Sequence, residues 1–548
     1  VQQPLFSRSQ YIVFFLLLAV VYIIGLFVPL MDNDSAHHAN IALRMYLTGD
    51  YVNLVDHGQD YLDKPHLHFW LSAWSYSIFG VTGFAYKLPS FLFTILGTYS
   101  TFRLGRKLYN DEVGKLAALI VASSFAYILA NNDVRMDAIL TASIIFATWQ
   151  LVEWVDGKKV LNAFGAALGL ALGFCTKGHI AVFTPAAGIL FYILYKRDWK
   201  TFYHPQLLLL LFAFCVFISP VVYCYYLQFD LHPEKIIRGK SGRSGIDFIL
   251  WKQNFERFQG DSFGADAAND YLFFFHSFLW AFAPWSVLTF VAFFNRVRGF
   301  LSRKYEWLTI TTIAVMALMI TFSGFKLPHY LNIIFPVAAI LCASYLLEQS
   351  QRRKSVKSLL LTQVIICALC LVAAGVVNVW AFPVTNVFVI AGFVVLLAGV
   401  VFLLLRFTIT MQKLVGASVL TSAVLFFLLN ANFYPQLLRY QAGNEMAFDK
   451  ARKADAKNIY FWPEVYSHSF NFYTAELRKE FTGSIMQRPS PIWIMTDAER
   501  LDQLKQKGLP FIESYEKDDY GITTMQLPFI NPATRKRELT KLILVRVK

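Results

Sequence analysis

The 548-residue sequence is 56% hydrophobic and only 16% charged, with 52 Phe and 27 Tyr. Soluble domains carry about 25% charged residues, so the composition excludes a soluble globular chain and reads as a polytopic membrane protein. The net charge of +14 does not imply nucleic acid, because most Lys and Arg fall in short loops between apolar runs, as membrane orientation requires.

A membrane-spanning helix takes about 20 apolar residues, and on that rule roughly thirteen spans are expected. In chain order they are 11–30, 88–108, 116–129, 138–154, 161–175, 180–195, 207–227, 272–294, 307–322, 330–347, 359–380, 387–405 and 414–429. The first lacks a small-residue cleavage site after its apolar run, so it reads as an uncleaved span. The fifth and sixth are short and meet near 176–179. Basic clusters occupy alternate loops: Arg103/Arg106/Lys107/Lys115, Lys158/Lys159, Lys196/Arg197/Lys200, Arg296/Arg298/Arg303/Lys304, Arg352/Arg353/Lys354/Lys357 and Arg406/Lys413. The positive-inside rule makes these loops cytoplasmic. The N-terminus is then inside and the C-terminal region outside. Cys175, Cys215, Cys224, Cys342, Cys367 and Cys370 lie in or beside spans without zinc-ligand spacing and read as small buried hydrophobes.

The opposite loops hold the unusual polar residues. The longest, 31–87, opens MDNDSAHHANIALRMYLTGDYVNLVDHGQDYLDKPHLHFW. Ordinary connections run about 2–8 residues, so a loop of this length reads as functional. Its stretch 36–47 has helical periodicity, which Asp34 or Ser35 would cap. The aromatic, amphipathic stretch 66–80 suits a helix lying in the membrane interface. A second long outer loop covers 228–270. We therefore expect a transmembrane catalytic domain over 1–435 carrying the loops 31–87 and 228–270. From about 441 strand patterns appear at 459–462, 492–495 and 542–547, with an amphipathic helix at 498–507. Residues 436–548 thus form a small outer α/β domain, large enough for its own core.

Several outer residues carry chemistry. Asp34 reads as a general base or substrate-orienting carboxylate, or as a helix cap; Asp32 competes for the role. Lys64 follows Asp63 and precedes Pro65, whose ring biases its neighbour to extended backbone. It would grip a lipid phosphate or merely snorkel to headgroups. Asp137, after Arg135, opens the fourth span and is the second candidate catalytic carboxylate, although the helix dipole alone would favour a carboxylate there. Lys177 is an isolated cation between two apolar spans, a functional candidate by default. Arg257 in WKQNFERF, and Lys326 with Tyr330 in SGFKLPHY, belong to the same face. Lys64, Lys177, Arg257 and Lys326 converging there would bind a phosphate or pyrophosphate. The histidines His37, His38, His57, His66 and His68 have no diagnostic metal spacing.

These motifs resemble a known group. PLMDNDSAHHANIA is similar to the PL-x-x-x-DE-x-x-YAEIA stretch of the dolichyl- and undecaprenyl-phosphate-dependent GT-C glycosyltransferases, and YLDKPHLHFWL resembles their Y-x-EKPPL-x-YWL. KLPSFLFTIL, VRMDAIL, GFCTKGHIAV, FAPWS and SGFKLPHYLNIIFPVAA follow in the same order, so the resemblance runs over about 11–350. It is strongest to the lipid A aminoarabinose transferases and the bacterial protein O-mannosyltransferase-like enzymes. The resemblance implies 11–13 spans, an active site on the periplasmic face of the bacterial inner membrane, a polyprenyl-phosphate sugar donor and inversion at the anomeric carbon. It places Asp34 at the catalytic acid position, Lys64 at the phosphate-contacting lysine and Tyr330 at the tyrosine of a later outer loop. The acceptor would be lipid A, another glycolipid or a protein.

The sequence also departs from the family pattern. Ser35 replaces an acid, His37-His38 an Arg-Tyr pair, Asn40 a Glu, and Asp63 the Glu before the lysine. His37, His38 and Asn40 are thus the candidate acceptor or sugar contacts, with sugar and acceptor left open. Gln253-Asn254 stands in place of a Glu-His pair associated with a metal; a divalent ion remains a candidate cofactor, with Asp63 as a candidate ligand. Transfer onto a lipid A phosphate is the nearest rival within enzymes. A lipid-sugar flippase is the rival outside them, although transporters place their charges at mid-membrane and here they gather at one face.

Overall fold

All thirteen apolar segments fold as helix in the computed structural model, which describes residues 4–547 apart from 33, 238, 253–269, 353–355, 408, 452–457, 483–490 and 507–509. The chain is a multi-pass membrane protein. Among the described residues, 8 helices are long and apolar enough to cross a membrane, or 10 if each of two bent pairs is one span. The expected count of thirteen is not reached by that measure, for local reasons. The helices Ile180–Lys196 and Leu308–Thr321 are apolar but short. Gly83–Leu108 is long, but it carries Lys87, Arg103, Arg106 and Lys107.

In chain order the first ten helices are α1 (Arg8–Leu26), α2 (Asp34–Thr48), α3 (Leu67–Phe79), α4 (Gly83–Leu108), α5 (Asp111–Ala122), α6 (Phe125–Asn132), α7 (Asp137–Gly157), α8 (Val160–Lys177), α9 (Ile180–Lys196) and α10 (Gln206–Tyr225). Their starts follow capping chemistry. The Thr82 side chain accepts from the Ala85 N–H at 3.1 Å, and Asn110 from Val113 at 3.0 Å, satisfying free donors of the first turn. Helix α3 matches the aromatic stretch at 66–80. The chain turns at Gly178–His179 between α8 and α9, where the sequence placed the boundary.

The segments read as spans 116–129 and 272–294 are both broken. Helices α5 and α6 meet at 53°, and Phe273–Ala281 meets Ser286–Arg298 at 119°. Broken helices survive inside a membrane only if neighbours satisfy the freed backbone groups. Here the two breaks serve each other. The Phe125 N–H donates to the Ala283 carbonyl at 3.0 Å, the Trp285 indole donates to Ser123 Oγ at 3.0 Å, and Gln363 Nε2 donates to the Pro284 carbonyl at 2.8 Å.

After the last membrane helix, Thr410–Leu428, the chain builds a four-stranded sheet in the order Ile459–Phe461, Ile492–Asp497, Thr540–Val547, Phe511–Asp519. The first pair is parallel and the other two are antiparallel. Three of these strands match the sequence reading. Phe511–Asp519 was not expected: FIESYEKDD is polar and alternates between exposed and half-buried, as an edge strand paired on one side does. The helix His468–Thr474 of this region packs on α2, and Phe472 is fully buried among Ala39, Tyr76 and Tyr86.

Candidate active site

One end of the bundle collects charged side chains from four segments. Helices α7 and α8 pack together, so Asp137, the first residue of α7, meets Lys177, the last of α8. Each charge suits its helix end, a carboxylate at an N-terminus and an ammonium at a C-terminus. Lys177 Nζ lies 3.0 Å from Asp137 Oδ1, and both are nearly closed off from solvent. The same ammonium stands 4.9 Å from the centre of the Tyr330 ring. His329, on the turn Pro328–Ile334, brings Nε2 to 4.0 Å from Asp137 Oδ2.

Arg135 ties this pair to the first outer loop. Its guanidinium pairs with Asp34 at 2.9 Å and with Asp133 at 3.0 Å, and lies 3.3 Å from His329 Nδ1. Asp34 opens α2 as its first helical residue, not as the cap before it. Its side chain stays 38% exposed against 4% for Asp137, so it is the carboxylate of the two that an incoming molecule can touch. Lys64 pairs with Asp63, and its charge acts on both His38 and His329.

A second cluster lies beside the first. His37 Nε2 is 2.8 Å from Asp56 Oδ2, and His57 Nε2 is 3.7 Å from Asp56 Oδ1. The His37 ring stacks on His38 at 5.5 Å and leans on His468 of the C-terminal region at 4.7 Å. The His57 ring packs on Tyr466 at 3.8 Å. Burial first, then the charge of Lys64, holds His38 well below the usual histidine range. Burial likewise pushes His68 down to about 4 and His468 to about 3. Burial pushes the Asp56 carboxyl up, but the hydrogen bond and charge of His37 outweigh it and keep Asp56 below its ordinary value. Tyr86 spends its proton on the Val134 carbonyl at 3.1 Å, so His68 Nε2–H donates to it at 3.0 Å. That chain fixes the turn before Arg135.

The other expected residues are placed as follows. Asn40 Nδ2 donates to the His468 carbonyl at 2.8 Å, joining α2 to the C-terminal region. Asp32, the rival to Asp34, turns away: its carboxylate accepts from Ser467 Oγ at 3.0 Å and Ser469 Oγ at 2.9 Å. It works as a docking carboxylate. Lys326 is buried, donates to the Asp270 carbonyl at 2.9 Å and lies over the Tyr271 ring. Arg257, Gln253 and Asn254 lie outside the described residues. Among the described residues no group of three His, Cys, Asp or Glu side chains is placed to hold a metal ion; Asp63 is engaged by Lys64, and the stacked imidazoles present faces to one another.

Sequence reading missed the partners contributed from afar: Arg135 as the link to Asp34, His329, Asp56, and His468 with Tyr466. It also missed Lys87, fully buried, whose ammonium donates to the Gly25 and Val28 carbonyls at 3.1 and 2.7 Å and so closes the end of α1. A lysine flanked by apolar residues just before Pro89 was the available signal.

The family model described as dolichyl-phosphate-mannose-protein mannosyltransferase matches residues 63–224. The undecaprenyl phosphate-alpha-4-amino-4-deoxy-L-arabinose arabinosyl transferase of Pseudomonas aeruginosa strain UCBPP-PA14 is 25% identical over 269 residues, 48% of this chain and 45% of that protein. The protein of the same name from Edwardsiella ictaluri is 26% identical over 343 residues, 60% of this chain and 58% of that protein. The chain thus spans about half the length of the curated relatives it matches. Among solved structures, ArnT from Cupriavidus metallidurans bound to undecaprenyl phosphate shares the fold with a TM-score of 0.73, covering 98% of both chains at 16% identity. The oligosaccharyltransferase of Archaeoglobus fulgidus in the apo form reaches 0.51, covering 89% of this chain and 70% of that one at 9% identity. The chain therefore has the GT-C fold and resembles, among the polyprenyl-phosphate-sugar glycosyltransferases, those of the lipid A aminoarabinose transferase kind.

Proposed function

We propose that this chain is an inverting glycosyltransferase that moves a sugar from a polyprenyl (undecaprenyl) phosphate to a cell-envelope acceptor, at the periplasmic face of a bacterial inner membrane. The observation that carries the reading is Asp34, an accessible carboxylate held by Arg135 beside the Asp137–Lys177–His329 cluster at one end of the bundle. The names of the relatives and the matched segment, which includes Lys64, Arg135, Asp137 and Lys177, support it. So does the alternation of basic loops: on it we read this end as outside, with 1–435 as the catalytic domain and 436–548 as a periplasmic domain.

In this reading the acceptor oxygen attacks the anomeric carbon opposite the phosphate. The bond from that carbon to the phosphate oxygen breaks, and polyprenyl phosphate leaves with the electron pair. Lys64, Lys177, Arg257 and Lys326 bind the donor phosphate, and Tyr330 backs Lys177. Fixed cations stabilise charge as it develops on the leaving group, a large share of catalysis in such sites. Asp34 takes the proton from an acceptor hydroxyl. Asp137, closed off from solvent, positions Lys177. His37, His38 and Asn40 contact the acceptor or sugar.

A second reading has an observation of its own. The curated relatives are aminoarabinose transferases, which favours lipid A as the acceptor. A lipid A phosphate is already ionised and needs no base, so Asp34 would act only by holding Arg135, whose guanidinium suits a phosphate. Purified protein incubated with a panel of polyprenyl-phosphate sugars and envelope extract tests both. The product's mass separates a glycosylated hydroxyl from a glycosylated phosphate. No product from any donor, with lipid-sugar translocation in vesicles, would overturn transfer in favour of a flippase.

A further inference from the structure

The far end of the bundle carries a second polar site. Helix α7 has 21 residues, so its end lies about 30 Å from Asp137. There a cavity of about 490 Å³ opens between the ends of α4, α7 and α9 and the helices Ser286–Arg298 and Phe335–Arg352. Nothing in the transfer reaction uses it.

Its hydrogen-bond accounting is one-sided. Every carboxylate lining it is occupied. Asp156 takes the Lys196 ammonium at 2.7 Å, Lys107 at 3.3 Å and the Tyr192 hydroxyl at 3.2 Å. Glu306 accepts from the Tyr109 hydroxyl at 2.9 Å and the Thr309 N–H at 3.0 Å. Glu348 holds Arg296 at 2.5 Å and the Tyr305 hydroxyl at 3.0 Å. Donors remain without a partner. Among the described residues Lys304 pairs with no carboxylate and rests over the Tyr305 ring. The Tyr195 hydroxyl makes no hydrogen bond there, and the buried Nε–H of Arg296 has no acceptor. Buried polar groups are normally matched. A cavity with spare donors, whose acids are already paired, fits a ligand that accepts, and a phosphate does.

The surroundings choose a lipid over a soluble anion. Leu301 is 91% exposed, and Phe294 and Val297 next to it are also open. Trp307 stacks on Phe300 at 4.5 Å and packs on Tyr195, an aromatic grouping typical of the membrane–water boundary. We propose that this cavity binds the phosphate headgroup of an anionic lipid in the leaflet at the basic end of the bundle, with its acyl chains along Phe294, Val297 and Leu301.

The test is native mass spectrometry of the full-length protein in detergent, titrated with phosphatidylglycerol, with uncharged diacylglycerol and with inorganic phosphate. Lys304 is exposed and pairs with no carboxylate among the described residues, so Lys304→Glu should fold normally; it should weaken phosphatidylglycerol binding by about tenfold or more, the scale of a charged hydrogen bond. Tyr195→Phe should weaken it less. Equal phosphatidylglycerol affinity in wild type and both variants would overturn the site. So would no preference for phosphatidylglycerol over diacylglycerol. Inorganic phosphate binding with the Lys304 dependence, where phosphatidylglycerol does not, would overturn the lipid assignment in favour of a soluble phosphate ligand.

Discussion

Asp34→Asn separates a chemical role from a structural one, because the geometry bounds what the structural loss can be. The substitution keeps size and removes only charge and basicity. Its ion pair with Arg135 is partly exposed on both sides, and such pairs contribute about 0–1 kcal/mol. Arg135 keeps Asp133 at 3.0 Å, so no buried charge is stranded. Loss of a carboxylate from the first turn of α2 removes another 0.3–1 kcal/mol or so. Folding should therefore weaken by no more than about 2 kcal/mol, from these two terms together. A misplaced Arg135 alone would slow transfer by about fivefold, the equivalent of about 1 kcal/mol. Removal of a general base slows it by about 10²–10⁴. The assay is single-turnover product formation, with donor affinity measured on the same preparation. We expect the larger fall with donor affinity near wild type. A fall of fivefold or less would remove Asp34 from the catalytic role.

Four further outcomes are expected. Lys64→Ala should weaken donor binding by about 10- to 150-fold, as loss of a charged hydrogen bond does; unchanged affinity in calorimetry would leave Lys64 with a structural role. Asp32→Ala removes the acceptor of Ser467 and Ser469 and should loosen the helix His468–Thr474 by about 2–3 kcal/mol, read as faster amide exchange there; wild-type protection would refute the docking role. His468 is held at about 3 in the folded protein against about 6.5 unfolded. The unfolded chain then takes the proton first, so this residue's contribution to stability is complete above about pH 6.5. It is lost as pH falls from there towards 3, by up to about 1.4 kcal/mol per unit. His468→Gln should flatten the melting curve across that window, and identical slopes would sink the argument. For topology, Leu527 is 80% exposed in the C-terminal region, so Leu527→Cys should react with a membrane-impermeant maleimide in intact cells; protection there would invert the orientation.

The membrane class, the helical segments and the segregation of polar residues followed from the sequence itself, because burial in lipid imposes a local rule: a run of apolar residues long enough to span. The Asp34, Lys64, Asp137 and Lys177 candidates were legible for the same reason, since an ionisable group at the edge of such a run stands out. The strand Phe511–Asp519 was not, because an edge strand's alternation is weak and its partner, Thr540–Val547, lies beyond the short helices Ile522–Thr524, Leu527–Ile530 and Arg535–Arg537. The two helix breaks were hidden as well: their stability depends on Phe125 finding Ala283, and a pairing across so many residues leaves no local mark. Tertiary structure alone decided which neighbours the candidates have. It turned Asp32 to Ser467 and Asp34 to Arg135, two residues apart on the chain but on opposite sides of the loop, and it brought His468 and Tyr466 onto His37 and His57. Charge and hydropathy are properties of residues and can be read one by one, whereas hydrogen bonds and ion pairs act over a few ångströms and exist only once the fold has set the distances.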